Sequence, residues 1–311
     1  MKKRKFLLAA FVIFTAANIF IYIKRDHFAY RLYPSYSSLY SPCQKDCKER
    51  WRQFAKDYPA GELEATIKMT DSLLSLHNRS SLEKILLIGN FLRSRFHLQE
   101  GSPSALLSSA SPFGQFKLLS TNKDEKLWCG NYANMMAWFC RSQGISTRIV
   151  EIIKPGDHHV INECYLPEKG KWMMVDLTHN LLGVENEKQE PLHVIGLLEK
   201  KSIASPFLAY RSVDDSITRY SFTAQQFPGS NYFQKEFSLY YYKRINLEKV
   251  YSTSEKIKRY VLPQSWYSIY EPAGGTGNNL LYFIKLFFIC SWLIIIFALA
   301  GLFLSSRKRI S

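Results

Sequence analysis

Two long uncharged apolar runs, one near each end of the chain, limit its folding more than any other feature. The first spans 6–23, FLLAAFVIFTAANIFIYI, and the second spans 286–304, LFFICSWLIIIFALAGLFL. As a helix the first run would be about 27 Å long, close to the ~30 Å hydrocarbon core of a bilayer. A helix in a water-soluble core carries polar residues where it meets solvent, and neither run has such a stripe. Both are therefore expected to cross a membrane. Thr15, Ala16 and Ala17 offer small residues for a signal-peptidase cut, but apolar residues continue past Ala17, so the run reads as an anchor.

The flanks predict an orientation. Lys2, Lys3, Arg4 and Lys5 precede the first run, against Lys24 and Arg25 after it; Arg307, Lys308 and Arg309 follow the second, against Lys285 before it. Basic residues stay on the cytoplasmic side, which places both termini there and residues 24–285 outside. The net charge is +15, and seven of those charges lie on the two terminal flanks, leaving +8 for the rest. The remaining Lys and Arg residues are dispersed, as on an ordinary solvated basic surface, and nothing in their arrangement points to nucleic acid.

With 47% hydrophobic and 15% aromatic residues, the exported segment can bury a core. Its organisation reads as a basic tip and span (1–25), a linker and helical lead-in (26–80), a core (81–180), further strands and a linker (181–279), and a second span with a basic tip (280–311). Residues 26–42 are rich in Tyr, Ser and Pro, as in an extended linker. Residues 44–98 look helical: Leu82, Ile85, Leu86, Ile88 and Phe91 recur at helical spacing, with Ser80 or Ser81 as a cap. Asn78-Arg79-Ser80 matches a glycosylation sequon. Residues 101–112 read as a loop.

From Trp128 the pattern sharpens. Residues 129–144 form one predicted helix, with Cys129, Ala133, Met136 and Cys140 along a stripe and Gly144 as its stop. Three predicted strands follow, at 146–153, 158–166 and 171–178, joined by turns at 155–157 and 167–170. FSLYYYKRI (237–245) adds a further strand-like piece, and 271–279 reads as a flexible linker.

Of the six cysteines, Cys290 falls in the second run as an apolar residue. The other five are an odd number, so in an oxidising compartment at least one is unpaired. Cys43 and Cys47 are spaced to close a small loop, and Cys140 and Cys164 either pair or are simply buried.

Cys129, His159 and Asp176 make sense together. A thiol attacks as the thiolate, and a cysteine at a helix start is favoured in that form by the unpaired N–H groups and the helix dipole. If the four-residue turn joins Leu166 to Lys171, Tyr165 faces Trp172 and Asp176 falls opposite Ile161. Asp176 is then diagonal to His159 and on its face; a one-residue slip would separate them.

Trp128-Cys129-Gly130, Ala133, Gly144-Ile145-Ser146-Thr147-Arg148, His159-Val160-Ile161-Asn162-Glu163, Lys171-Trp172 and Val175-Asp176-Leu177-Thr178 resemble, in order and spacing, the transglutaminase-like superfamily. The resemblance covers about residues 80–180. It implies an α+β, papain-like fold, with the cysteine helix packed on an antiparallel sheet, to which the apolar runs add N- and C-terminal transmembrane helices. It also implies a Cys129 nucleophile, a His159 base and an orienting Asp176. Ile161 stands where the family usually has an aromatic residue, and His158 is a second histidine beside the first. The backbone N–H of Cys129 is one expected oxyanion donor; Asn122, Gln115 and Trp128 are candidates for the second.

Arg148 and Glu163 read as structural. No metal or other cofactor is expected, because Cys129, His158, His159 and Cys164 lack the spacing of a known metal motif. The expectation is a membrane-anchored thiol enzyme acting outside the cytoplasm on a protein or peptide, an amide or peptide hydrolase in preference to an acyltransferase that passes the acyl group to an amine. The alternative is a non-catalytic anchored module that uses the same fold for binding.

Overall fold

A computed structural model describes residues 2–24, 28, 58–154, 156–199, 206–223, 226–227, 238–242, 253–262, 267–270 and 279–307. The expected linker at 26–42 falls almost wholly outside them. Cys43, Cys47, Pro155 and residues 271–278 lie outside them too. The chain divides into two compact units. One holds both terminal helices and residues 253–266, and the other holds 33–252 and 267–275.

In the larger unit, helices α1 (Glu62–Leu74), α2 (Ser81–Phe96), α3 (Ala105–Ser109), α4 (Pro112–Thr121) and α5 (Cys129–Ser142) precede the first strand. The strands are β1 (Thr147–Lys154), β2 (Asp157–Leu166), β3 (Lys171–Val175), β4 (Gly183–Glu185), β5 (Phe207–Val213), β6 (Ser216–Phe222), β7 (Ser238–Tyr242) and β8 (Tyr267–Tyr270), with helix α6 (Val194–Glu199) between β4 and β5. A five-stranded antiparallel sheet runs β3-β2-β1-β7-β8, and β4-β5-β6 form a second, three-stranded sheet.

Period-two alternation explains why β1 and β3 read as almost continuous apolar runs. Ile149, Met173 and Val175 join the core under α2, α4 and α5. Their neighbours Val150, Ile152 and Met174 join a second core with α6, β4 and β5 on the opposite face. Adjacent residues on a strand point to opposite faces, so a strand covered on both must be apolar at nearly every position. Asn162 on β2 is buried and donates to the Ala133 carbonyl at 3.0 Å, tying β2 to α5.

Local chemistry sets the helix ends. At the start of α2, the Ser80 hydroxyl accepts from Glu83 N–H at 3.2 Å while the Glu83 carboxylate accepts from Ser80 N–H at 2.9 Å. This capping box contributes about 1 kcal/mol. Gly144, at φ 77°, ends α5 in a conformation that L side chains rarely adopt. The segment 101–112, expected to be a loop, instead contains α3 and the start of α4. Ser104 accepts from Leu107 N–H at 3.1 Å and Ser111 from Gly114 N–H at 3.0 Å. The five residues of α3 are too few to show a helical period, so only the Ser104 cap marks it, while Ser111 and Pro112 mark the start of α4.

Among the described residues, Cys129, Cys140, Cys164 and Cys290 carry free thiols. Cys140 and Cys164 are buried, and burial first, then the nearby Cys164 thiol, pushes the Cys140 thiol well up.

In the smaller unit the N-terminal helix (Lys2–Ile23) packs on the C-terminal helix (Leu280–Arg307). Both are long and apolar enough to cross a membrane, over Lys5–Ile23 and Leu280–Leu302. Their few polar groups meet each other. Trp292 Nε1 donates to Thr15 Oγ1 at 2.9 Å, and Asn18 donates to the Phe288 carbonyl at 3.2 Å. Lys285 lies inside the second apolar stretch, where its ammonium donates to the Tyr260 carbonyl at 2.8 Å and sits over the Tyr260 and Tyr282 rings. Phe6, Val12, Ile294 and Phe297 point outward, as side chains facing lipid would.

Candidate active site

Cys129 is the first residue of α5, and Trp128 caps it with extended backbone. Trp128 N–H donates to Asn131 Oδ1 at 2.9 Å, which holds the first turn closed around the half-exposed thiol. A cysteine here faces the positive end of the helix dipole.

The hairpin places the other groups. Tyr165 pairs with Trp172 and Asn162 with Val175, the register expected from a four-residue turn. Gly170, at φ 62°, closes that turn. Asp176 follows β3 directly, and its backbone exchanges two hydrogen bonds with Leu181 at 2.7 and 2.8 Å. Its carboxylate lies 3.0 Å from His159 Nε2. The Cys129 thiol adjoins the His159 side chain and contributes to its electrostatics. Since Nε2 is taken by Asp176, Nδ1 is the nitrogen left for the thiol. His158, its neighbour, pairs with Ile153 across the β1–β2 ladder.

The electrostatics follow from burial and charge. Asp176 is 1% exposed. Burial opposes its ionisation, but His159 and then His179 outweigh this and hold its carboxyl well below the usual carboxylate range. Burial also opposes the charged form of His159. The Asp176 charge and hydrogen bond, with a contribution from Cys129, overcome it and raise His159 to about 10. His159 and Asp176 are thus joined by a hydrogen bond, with the Cys129 thiol beside a stabilised imidazolium.

The candidates for the second oxyanion donor separate. Gln115 is buried and committed: its Nε2 donates to the Ala110 carbonyl at 3.2 Å and its Oε1 accepts from Asn131 at 3.3 Å. Asn122 Oδ1 accepts from Asp124 N–H at 3.0 Å. Trp128 is 56% exposed and adjoins the thiol.

Arg148 and Glu163 form a buried ion pair, with Nε 2.7 Å from Oε2. Glu163 Oε1 accepts from Val194 N–H at 2.7 Å, and the guanidinium lies between the Trp172 and Tyr241 rings.

One residue at this site was not singled out from the sequence. His179 Nδ1 lies 2.6 Å from Asp176 Oδ2, the oxygen that also meets His159. The Asp-x-x-His spacing after a strand was the available signal, but it gains meaning only from the tight turn at 176–181. Ligand atoms of His159, Asp176 and His179 lie within 4.8 Å of one another, a spacing a divalent ion could use; hydrogen bonds alone already account for it.

The family model of the transglutaminase-like superfamily matches residues 75–177. Residues 75–177 form a transglutaminase-like domain. Cys129, His159 and Asp176 all fall inside it, and His179 falls just beyond its end. A solved structure described as a "Putative Cysteine Protease from Cytophaga hutchinsonii" is 18% identical, with a TM-score of 0.31, over 44% of this chain and 43% of its own. The chain thus spans less than half of that protein's length. No curated protein matches the chain.

Proposed function

We propose that this protein is a membrane-anchored thiol hydrolase that cleaves an amide bond in a protein or peptide outside the cytoplasm. The observation that carries the reading is the His159–Asp176 hydrogen bond beside Cys129 at the start of α5. Cys129 Sγ attacks the carbonyl carbon, and its proton resides on His159 Nδ1. The tetrahedral intermediate collapses as the C–N bond breaks, and the leaving amine takes the proton from His159. Water then attacks the thioester with His159 as base, releasing the acid and regenerating the thiol. Asp176 accepts from Nε2–H throughout, which keeps Nδ1 aimed at sulfur and stabilises the imidazolium.

The test is alkylation of the full chain in detergent at pH 6–7, with the Cys129 peptide quantified by mass spectrometry. Cys129 is expected to react well ahead of a free thiol, and His159→Ala to slow it on the order of 10- to 100-fold. A Cys129 that reacts no faster than a free thiol and ignores His159 would remove the enzyme reading in favour of a binding module.

The side of the membrane has its own test. The basic flanks favour both termini in the cytoplasm. A reporter fused after Ser311 should be active only in its cytoplasmic form, and activity confined to the exported form would overturn the two-anchor topology.

A further inference from the structure

We infer that His179 is a positioning residue, whose Nδ1–H fixes the Asp176 carboxylate so that it holds His159 toward Cys129. The inference rests on the proposed reaction and adds a fourth member to its machinery.

An ionised carboxylate only accepts hydrogen bonds, so both imidazoles must donate to Asp176. His159 does so through Nε2 and His179 through Nδ1, both to the same oxygen, at 3.0 and 2.6 Å. The other carboxylate oxygen accepts from Thr178 N–H at 3.1 Å and His179 N–H at 3.4 Å. The carboxylate is therefore gripped from two sides, and rotating it would break bonds on both. The His179 and His159 rings pack edge to face, with centroids 4.8 Å apart. The His179 side chain is 34% exposed where Asp176 is buried, so it stands on the solvent side of the Asp176–His159 bond.

The turn that carries His179 is itself anchored. Asn180 takes a left-handed conformation at φ 56°, and its side-chain amide exchanges two 2.9 Å hydrogen bonds with the Ser212 backbone on β5. The second sheet thereby holds the turn that aims the carboxylate. His179 makes its bond through the nitrogen whose place an asparagine amide can take, whereas glutamine would reach the position of Nε2.

The experiment compares Cys129 alkylation at pH 6–7 in wild type, His159→Ala, His179→Ala, His179→Asn and His179→Gln. It uses the full chain in detergent with a chelator, and thermal unfolding is followed in parallel. The expected result is a loss on the order of tenfold for His179→Ala and His179→Gln, with His179→Asn restoring the rate. If the rate depends on His159 but is unchanged in His179→Ala, the His179 role is overturned and the reaction stands. Equal losses in the alanine and asparagine variants with unchanged unfolding would also overturn it, since no Nδ1-type donor would then be at work. A wild-type rate that ignores His159 removes the reaction and the His179 role together.

Discussion

Replacing Asp176 with alanine should slow alkylation of Cys129 at pH 6.5 on the order of 10- to 100-fold. Asp176 accepts four hydrogen bonds, two from imidazoles and two from backbone N–H groups, while 1% exposed. Without it, the burial that opposes the charged His159 ring acts unchecked, and the imidazolium beside Cys129 is lost. An ordinary thiol titrating near 8.5 is only ~1% ionised at pH 6.5, which sets the upper end of the range. A thiolate from a more acidic thiol is less nucleophilic, which sets the lower end. Alkylation rates of the two proteins across pH check this, and an unchanged rate at pH 6.5 would sink the role of Asp176.

The same variant has a stability signature with a definite sign. His159 is raised to about 10 in the fold, from ~6.5 in the unfolded chain. Its contribution is complete below ~6.5 and is lost as pH rises through about 10. Asp176 is depressed, so its contribution is present above ~3.9 and lost as pH falls below. The gap in unfolding temperature between wild type and Asp176→Ala should therefore be widest from about pH 4 to 6.5. It should narrow on both sides.

Glu163→Ala should destabilise the larger unit by about 3–5 kcal/mol, the cost of leaving a buried charge without its partner. Glu163 is fully buried, and its two oxygens serve the Arg148 guanidinium and the Val194 N–H. Arg148 would stay wedged between Trp172 and Tyr241 with no counter-charge. His193 reports on the same enclosure: burial first lowers it to about 4, with Glu163 acting upward and Arg148 downward. Equilibrium denaturation of the full chain in detergent measures the loss. A change under 1 kcal/mol would mean that the pair is exposed enough for water to replace Glu163.

Much of the candidate site was legible because its determinants are local. A helix start at Cys129, a strand carrying His159 and a four-residue turn at 167–170 are all short-range patterns. Side chains alternate with period two, so the turn length alone puts Asp176 on the face of His159. The two long apolar terminal helices were legible for the same reason, since length and absence of charge are properties of a segment and need no partner. The short helix at 105–109 was not, because five residues show no period.

What the sequence by itself determined is the run from the Cys129 helix through three strands, the register of the β2–β3 hairpin and the pairing of Asp176 with His159 that follows from it. Only the tertiary structure decided the rest. The left-handed Asn180, pinned to Ser212 on β5, turns His179 back onto Asp176. Tyr241, brought to β1 by the β7 pairing, closes the second aromatic face over Arg148. These contacts join residues far apart in the chain, and no local pattern carries them. They form only when the two sheets and the helices close around shared cores.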